Sequence, residues 1–276
     1  MSPLPPQAKL LVNLIGGGFQ HAPSSTGAKT SRHIEYVRNK IESGVSLYVD
    51  DGILQGLRGT GEAVKLAWLS ESRALFPNQV FKERHKDILP HFTCVFTHDK
   101  ELLRLDEKFL FLHANGFWVK EPRMCEKKRL VSMITSSKSF LAGHVFRLDW
   151  ARRLQGKLDL FGRGFREIQD KEEALNDYMF SVAVENASYC SYFTEKILDC
   201  FATGTIPVYH GAPDIAEYFN KDGIITLTDG FDVSSLTPRL YESKLEAVRD
   251  NFERVLKYEV AEDYMYERYL TRPAGK

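Results

Sequence analysis

Short apolar runs rich in β-branched and aromatic residues alternate with longer polar or amphipathic stretches along almost the whole chain. Strands separated by helix-length crossovers pair in parallel, so this alternation points to an α/β fold built from βα units. In the first half the strand candidates are Leu10–Ile15, Val45–Val49, Val64–Trp68, Phe92–Phe96 and Phe109–His113, and the spacing of Ile34, Val37 and Ile41 predicts a helix over Ser31–Ser43. The charged stretch Val119–Arg129, which contains Pro122, breaks the periodicity and reads as a linker. The pattern then restarts with strands at Leu130–Thr135, Leu158–Phe161, Tyr178–Val184, Ile206–Tyr209 and Ile224–Leu227. Helices are expected at Phe146–Leu154, Thr194–Thr203 and Asp214–Asn220, and a final helical region at about Ser243–Tyr269.

Two βαβ halves joined by a linker predict two Rossmann-like domains, residues 1–122 and 123–276, the second ending in a C-terminal helical region. A ligand belongs in the crevice at the carboxyl ends of the strands. At 276 residues and 43% hydrophobic, the chain has material for such cores. Its formal charge is zero, which argues against a generic polyanion binder, and Lys127-Lys128-Arg129 has neither the aromatic interleaving nor the motif of a nucleic-acid site, so nucleic acid is not an expected partner. The charge is uneven, however. Residues 120–166 hold twelve basic and four acidic side chains, whereas residues 167–276 hold eleven basic and twenty-one acidic ones. A local anion site is expected there. The cysteines, Cys94, Cys125, Cys190 and Cys200, lack CxxC spacing and a histidine partner, so they read as reduced core residues. With no apolar run of about 20 residues and no secretory leader pattern, a cytoplasmic protein without a transmembrane segment is expected.

Residues 178–227 carry the most chemistry. A buried strand ends in Glu185-Asn186, a polar loop follows, and a helix opens at Thr194-Glu195-Lys196. Helix N-termini after parallel strands present free N–H groups and a positive dipole end to anions. Lys196 adds a full charge, and Glu195 can accept from sugar hydroxyls. A diphosphate with an attached ribose satisfies both.

Val184-Glu185-Asn186, then Tyr192-Phe193-Thr194-Glu195-Lys196, then Gly204-Thr205-Ile206-Pro207-Val208-Tyr209-His210-Gly211-Ala212-Pro213 resemble, in order and spacing, the signature of the α1,3-fucosyltransferases of glycosyltransferase family 10. The similarity reaches back through Arg147–Arg163 to about residue 130, with a weaker echo at Lys65–Ser72. His210 departs from the family, which has another aromatic residue there. The resemblance implies a GT-B-like architecture with two domains facing a cleft. It also implies an inverting glycosyltransferase that moves a sugar from a nucleoside diphosphate donor, GDP-fucose in the family, to an oligosaccharide or glycoprotein glycan hydroxyl. A UDP-sugar such as UDP-xylose, or an inactive glycan- or nucleotide-binding module, are the alternatives.

Carried over by position, Asn186, Tyr192, Glu195 and Lys196 contact the donor and Arg147 neutralises its diphosphate; Thr194 and Lys138 of the Ser136–Ser139 loop join that donor-binding set. Glu71 aligns with a glutamate general base, and His21, after Gly16-Gly17-Gly18, is the rival base. His113 and His210 end strand candidates. Phe117, Trp118, Trp68 and Tyr48 are aromatic residues able to stack on sugars, although core packing suits each of them better. No metal or other cofactor is expected, because neighbouring Asp50 and Asp51 would point apart on a strand.

Overall fold

The computed structural model describes residues 8–19, 22–27, 29–38, 44–58, 61, 63–75, 77–137, 139 and 141–271. They belong to two compact units, Met1–Ala114 with Val260–Lys276, and Asn115–Glu259. The first holds β1 (Leu10–Ile15), β2 (Ile34–Arg38), β3 (Val45–Val49), α1 (Ile53–Gly56), β4 (Val64–Leu69), α2 (Asn78–Ile88), β5 (Cys94–Thr97) and β6 (Phe109–Phe111). Its sheet runs β2-β1-β3-β4-β5-β6 with every pairing parallel. The central strands β3 and β4 are buried on both faces, which explains their nearly continuous apolar sequences.

Two local expectations fail in this unit. Ile34–Arg38 is an edge strand paired with β1, not part of a helix; residues 39–43 of the expected helix lie outside the described residues. Ile34 and Val37 fit a 3.6-residue period, but Ile34, Tyr36 and Arg38 equally fit a period of two, and the exposed edge of β1 selects the strand. Conversely, α2 escaped notice because its apolar content is thin. Phe81 and Ile88 are its buried apolar residues, and the intervening KERHKD is charged.

The second unit contains β7 (Arg129–Ile134), α3 (Ala142–Leu154), β8 (Asp159–Phe161), β9 (Tyr178–Val184), α4 (Glu195–Ala202), β10 (Ile206–His210), β11 (Ile225–Thr226), α5 (Pro238–Ser243) and α6 (Leu245–Val255). Its parallel sheet runs β11-β10-β9-β7-β8. The order reverses between β7 and β9, the position at which open parallel sheets bind ligands. Asp214–Asn220 contains a single 3-10 turn, Ile215–Glu217.

The stretch Val119–Arg129 is not a free linker. Val119 is fully buried, Arg123 and Cys125 donate backbone N–H groups to Ala202 and Thr203, and Lys127 Nζ is caged by the carbonyls of Leu175, Asn176 and Thr203 and by Thr205 Oγ1. The charged side chains gave it the look of a linker; its backbone is a strap on unit 2. The expected boundary at 122/123 therefore differs from the observed one at Ala114/Asn115. The C-terminal segment differs more: α7 (Ala261–Met265) belongs to the first unit, where Ala261 and Met265 join the β-sheet core with Val12, Leu47 and Trp68. Buried Glu262 accepts from Ser25 N and Oγ and from Tyr36 Oη, and Asp263 holds Ser31 and Arg32.

Of the cysteines only Cys200 is buried; Cys94 and Cys125 are half-buried, Cys190 is exposed, and all four are free thiols. Among the described residues no helix is long and apolar enough to cross a membrane.

Met265 is completely buried in this core, so Met265→Ala should cost about 2–5 kcal/mol, read as a lower midpoint in urea denaturation. An unchanged midpoint would show that α7 contributes little to unit 1.

Candidate donor site in the second unit

The site begins with Glu185, which immediately follows β9 and has 1% of its surface exposed. Its carboxylate accepts from the Thr194 N–H at 2.9 Å and the Thr194 hydroxyl at 2.7 Å. Thr194 in turn is the N-cap of α4, and its Oγ1 accepts from Lys196 Nζ at 2.9 Å. One buried carboxylate thereby ties the strand end to the helix start and fixes the side chain that follows. Burial pushes the Glu185 carboxyl up, against the pull of Lys196 3.5 Å away.

One helical turn along α4, Asp199 is also buried. It accepts from the N–H groups of Trp118 and Val119 through one oxygen and pairs with Lys171 at 2.6 Å through the other. Lys171 Nζ also lies 3.5 Å from Glu195 and 4.9 Å from the Trp118 ring. Burial disfavours the Lys171 ammonium, but Asp199 and Glu195 outweigh it and leave its pKa raised. Glu195 exchanges two hydrogen bonds with Asn115 and contacts Lys196 at 3.3 Å. Burial pushes its carboxyl up, yet Lys196 and Lys171 prevail and hold it well below the usual range.

Trp118, Lys171, Glu195, Lys196 and Asp199 line a pocket of about 450 Å³ whose floor is the end of β7 and β9, within the range of small-ligand sites. Arg147 enters it from α3. It is 6% exposed, donates from Nη1 to Asn186 at 3.2 Å, and has a buried Nε with no hydrogen-bond partner among the described residues. Burial lowers its pKa, opposed by Glu185, Glu195 and Tyr192. Thr135, immediately after β7, likewise has a buried hydroxyl on the pocket wall without a partner among the described residues. Native structures rarely leave such groups unpaired unless something else satisfies them, and here both occur in one pocket. Gly143 lets α3 sit on this site, because a Cβ there would lie 2.0 Å from the Asn186 carbonyl oxygen.

The structure brings together Arg147, Asn186, Thr194, Glu195 and Lys196, with Tyr192 buried close enough to Arg147 to act on its charge. The Thr194 hydroxyl is committed to Glu185 and Lys196. Lys138 and His21 lie outside the described residues. Glu71 is in unit 1, in the turn after β4. Phe117, Trp68 and Tyr48 are core residues, whereas Trp118 is 40% exposed and lines the pocket. His210 packs on Phe146 at 4.4 Å; His113 is buried against Tyr264, and burial pushes it down to about 3. Asp50 and Asp51 are held by different partners, Ser70 and Gly17.

Sequence reasoning missed Lys171, Asp199, Asn115 and Thr135. Asp199 was discoverable, being a charge at i+4 from Glu195 on a helix; the others arrive from distant segments. The basic block also misled in part. Of its twelve cations, Arg147 and Arg163 line the pocket, while Lys120, Arg129 and Arg153 pair with Asp170, Asp159 and Asp149 on the surface.

The fold resembles that of GT-B glycosyltransferases. A crystal structure of an α1,3-fucosyltransferase aligns over 98% of this chain and 91% of its own with a TM-score of 0.54 at 14% identity, and one with GDP over 93% and 92% with 0.53 at 14%. Anabaena HepE in complex with UDP and glucose aligns over 95% and 99% with 0.60 at 9% identity. Residues 124–269, more than half of the chain, match glycosyltransferase family 10 (fucosyltransferase) C-term, and the chain belongs to that family. It is 37% identical over 62 residues to alpha-(1,3)-fucosyltransferase FucT of Helicobacter pylori, 22% of this chain and 13% of that protein. A fucosyltransferase-like protein of Arabidopsis thaliana is 34% identical over 88 residues, 30% and 17% of the two chains. The matches thus span less than a fifth of those relatives.

Because the native state depresses the Glu195 pKa, its stabilisation is full above the unfolded carboxyl value of about 4.3 and is lost as pH falls below it. Glu195→Gln should flatten the acid limb of the melting temperature between about pH 5 and 2; a wild-type slope in the variant would show that Glu195 is not held by these lysines. Lys171→Met leaves Asp199 buried without its cation and should cost about 3–5 kcal/mol, measured by denaturant titration, with Lys171→Arg closer to wild type.

Proposed function

We propose that this family 10 protein is an inverting glycosyltransferase that uses a nucleoside diphosphate sugar, with GDP-fucose as the favoured donor and a glycan hydroxyl as acceptor. The observation that carries the reading is the Arg147 Nε, unpaired among the described residues, in a pocket shared with Lys196 and Glu195. It is cationic and buried, so an anionic ligand would relieve its desolvation.

In this reading unit 2 binds the donor. Arg147 and Lys196 meet the diphosphate together with the α4 N-terminus, and Glu195, held ionised, accepts from the ribose hydroxyls. Asn186 steers the Arg147 guanidinium, and Thr194 steers Lys196. Protein cations fill the charge-neutralising role, so the reaction as proposed requires no metal.

Unit 1 supplies the base. As the acceptor oxygen forms its bond to the anomeric carbon, the bond to the β-phosphate oxygen breaks and the electron pair leaves with the diphosphate. Glu71 takes the acceptor hydroxyl proton. A single displacement of this kind inverts the anomeric configuration. Charge then accumulates on the leaving diphosphate in the transition state, where fixed cations count most.

Thermal-shift screening with GDP, UDP, GDP-fucose, UDP-xylose and UDP-glucose tests the donor. Stabilisation by the guanosine compounds alone is expected. Stabilisation by uridine compounds alone would replace GDP-fucose with a UDP-sugar, and binding without turnover would identify an inactive module. Lys196→Ala and Arg147→Ala should each weaken transfer by about 2–4 kcal/mol of transition-state stabilisation, measured as kcat/KM. Glu71→Gln should lower turnover while sparing nucleotide affinity; full turnover would eliminate Glu71 as the base.

A further inference from the structure

Asp50 has a backbone that few residues of its kind adopt. It follows the last residue of β3 at φ 46°, in the left-handed region, and its side chain is turned away from water with 9% exposed. Aspartate tolerates this region better than most residues, but the conformation still has to be held by its surroundings.

The partners of the carboxylate are concentrated on one short segment. Oδ1 accepts from the backbone N–H of Ser70 at 3.0 Å, the backbone N–H of Glu71 at 3.1 Å and Asn78 Nδ2 at 3.0 Å, and Oδ2 accepts from the Ser70 hydroxyl at 2.6 Å. Asn78 then uses the same amide nitrogen to reach the Glu71 carbonyl oxygen at 2.8 Å. Both of its partners are acceptors, which fixes the orientation of the amide. The Glu71 residue is therefore gripped at both of its own backbone polar groups, the N–H by Asp50 and the C=O by Asn78. Neither contact uses the Glu71 carboxylate. Asp51, the neighbouring acid, turns to the Gly17 N–H instead.

We propose that Asp50 and Asn78 are positioning residues that hold the Glu71 backbone so that its carboxylate is aimed for proton abstraction. The inference rests on Glu71 being the base. A grip on the two peptide units that flank the Glu71 Cα fixes the direction in which that residue's Cα–Cβ bond leaves the chain. Small errors in the placement of a reacting group are costly in rate, so the grip should appear in kcat and leave donor binding, a property of unit 2, alone.

The test is release of nucleoside diphosphate from GDP-fucose, or from the UDP-sugar that the wild type turns over, in Asp50→Asn and Asn78→Ala and in each combined with Glu71→Asp. Asp50→Asn keeps the side-chain shape but sets an amide N–H among donors; Asn78→Ala repeats the experiment should Asp50→Asn not fold. Each variant is expected to lower kcat at least tenfold, with donor KM within threefold of wild type. In the Glu71→Asp background, where the carboxylate is already displaced, the further loss should be under threefold. A merely structural role predicts that the losses multiply in full; that result, a loss confined to KM, or unchanged kcat would overturn the proposal. Glu71→Gln alone separates the two claims. If it turns over at the wild-type rate the base reading fails, and this inference with it; if it is inactive while the paired losses multiply, the base stands and the positioning role falls.

Discussion

The second unit depends on a carboxylate that never meets solvent. Glu185 connects the end of β9 to the N-cap of α4 through two hydrogen bonds from Thr194, and Tyr209 in β10 also hydrogen-bonds to it. Its desolvation is offset by these donors and by Lys196. The consequence is geometric: the first turn of α4, with Glu195 and Lys196, is held in a fixed relation to the sheet edge. A helix start resting on packing alone would lack these directional constraints.

Around this joint, acidic Glu185, Glu195 and Asp199 face basic Arg147, Lys171 and Lys196. Three charges of each sign compensate one another, which makes such dense burial sustainable. The pairing is uneven, however. Asp199 and Lys171 satisfy each other at the closed end of the network, whereas Arg147 retains an unpaired N–H. The electrostatic deficit falls at Arg147, on the wall of the pocket. Asp199 and Thr194 have their side-chain oxygens engaged within the protein, whereas Arg147 engages Asn186 through Nη1 and leaves Nε without a partner among the described residues.

Much of the architecture was readable because β3, β4, β7 and β9 are parallel strands buried on both faces, whose apolar runs are hard to mistake. The signature around Glu195 and Lys196 was legible for a different reason: cap, charge and strand end are close in sequence. What sequence could not show is convergence from afar. Asn115 and Lys171 reach Glu195 across 80 and 24 positions, and no periodicity encodes such a meeting. The expected helix gave way to a strand at Ile34–Arg38 because short amphipathic runs fit two periods, and the linker reading failed because a charged sequence hides backbone hydrogen bonds to unit 2 and a caged Lys127. Charge counting marked the segment that contains Arg147 but could not separate it from cations spent on surface pairs.

The return of α7 to the first unit has a consequence for the order of assembly. Unit 2 is one uninterrupted stretch, Asn115–Glu259, whereas unit 1 needs residues from both sides of it. On the ribosome, unit 2 has its complete sequence before Ala261 and Met265 exist, so the part of the chain made first is the last to receive its full core. Until then Ser25, Ser31 and Arg32 lack the Glu262 and Asp263 carboxylates that anchor them. The closing helix thus acts as a keystone, and unit 1 matures only after the domain inserted between its two segments has been synthesised.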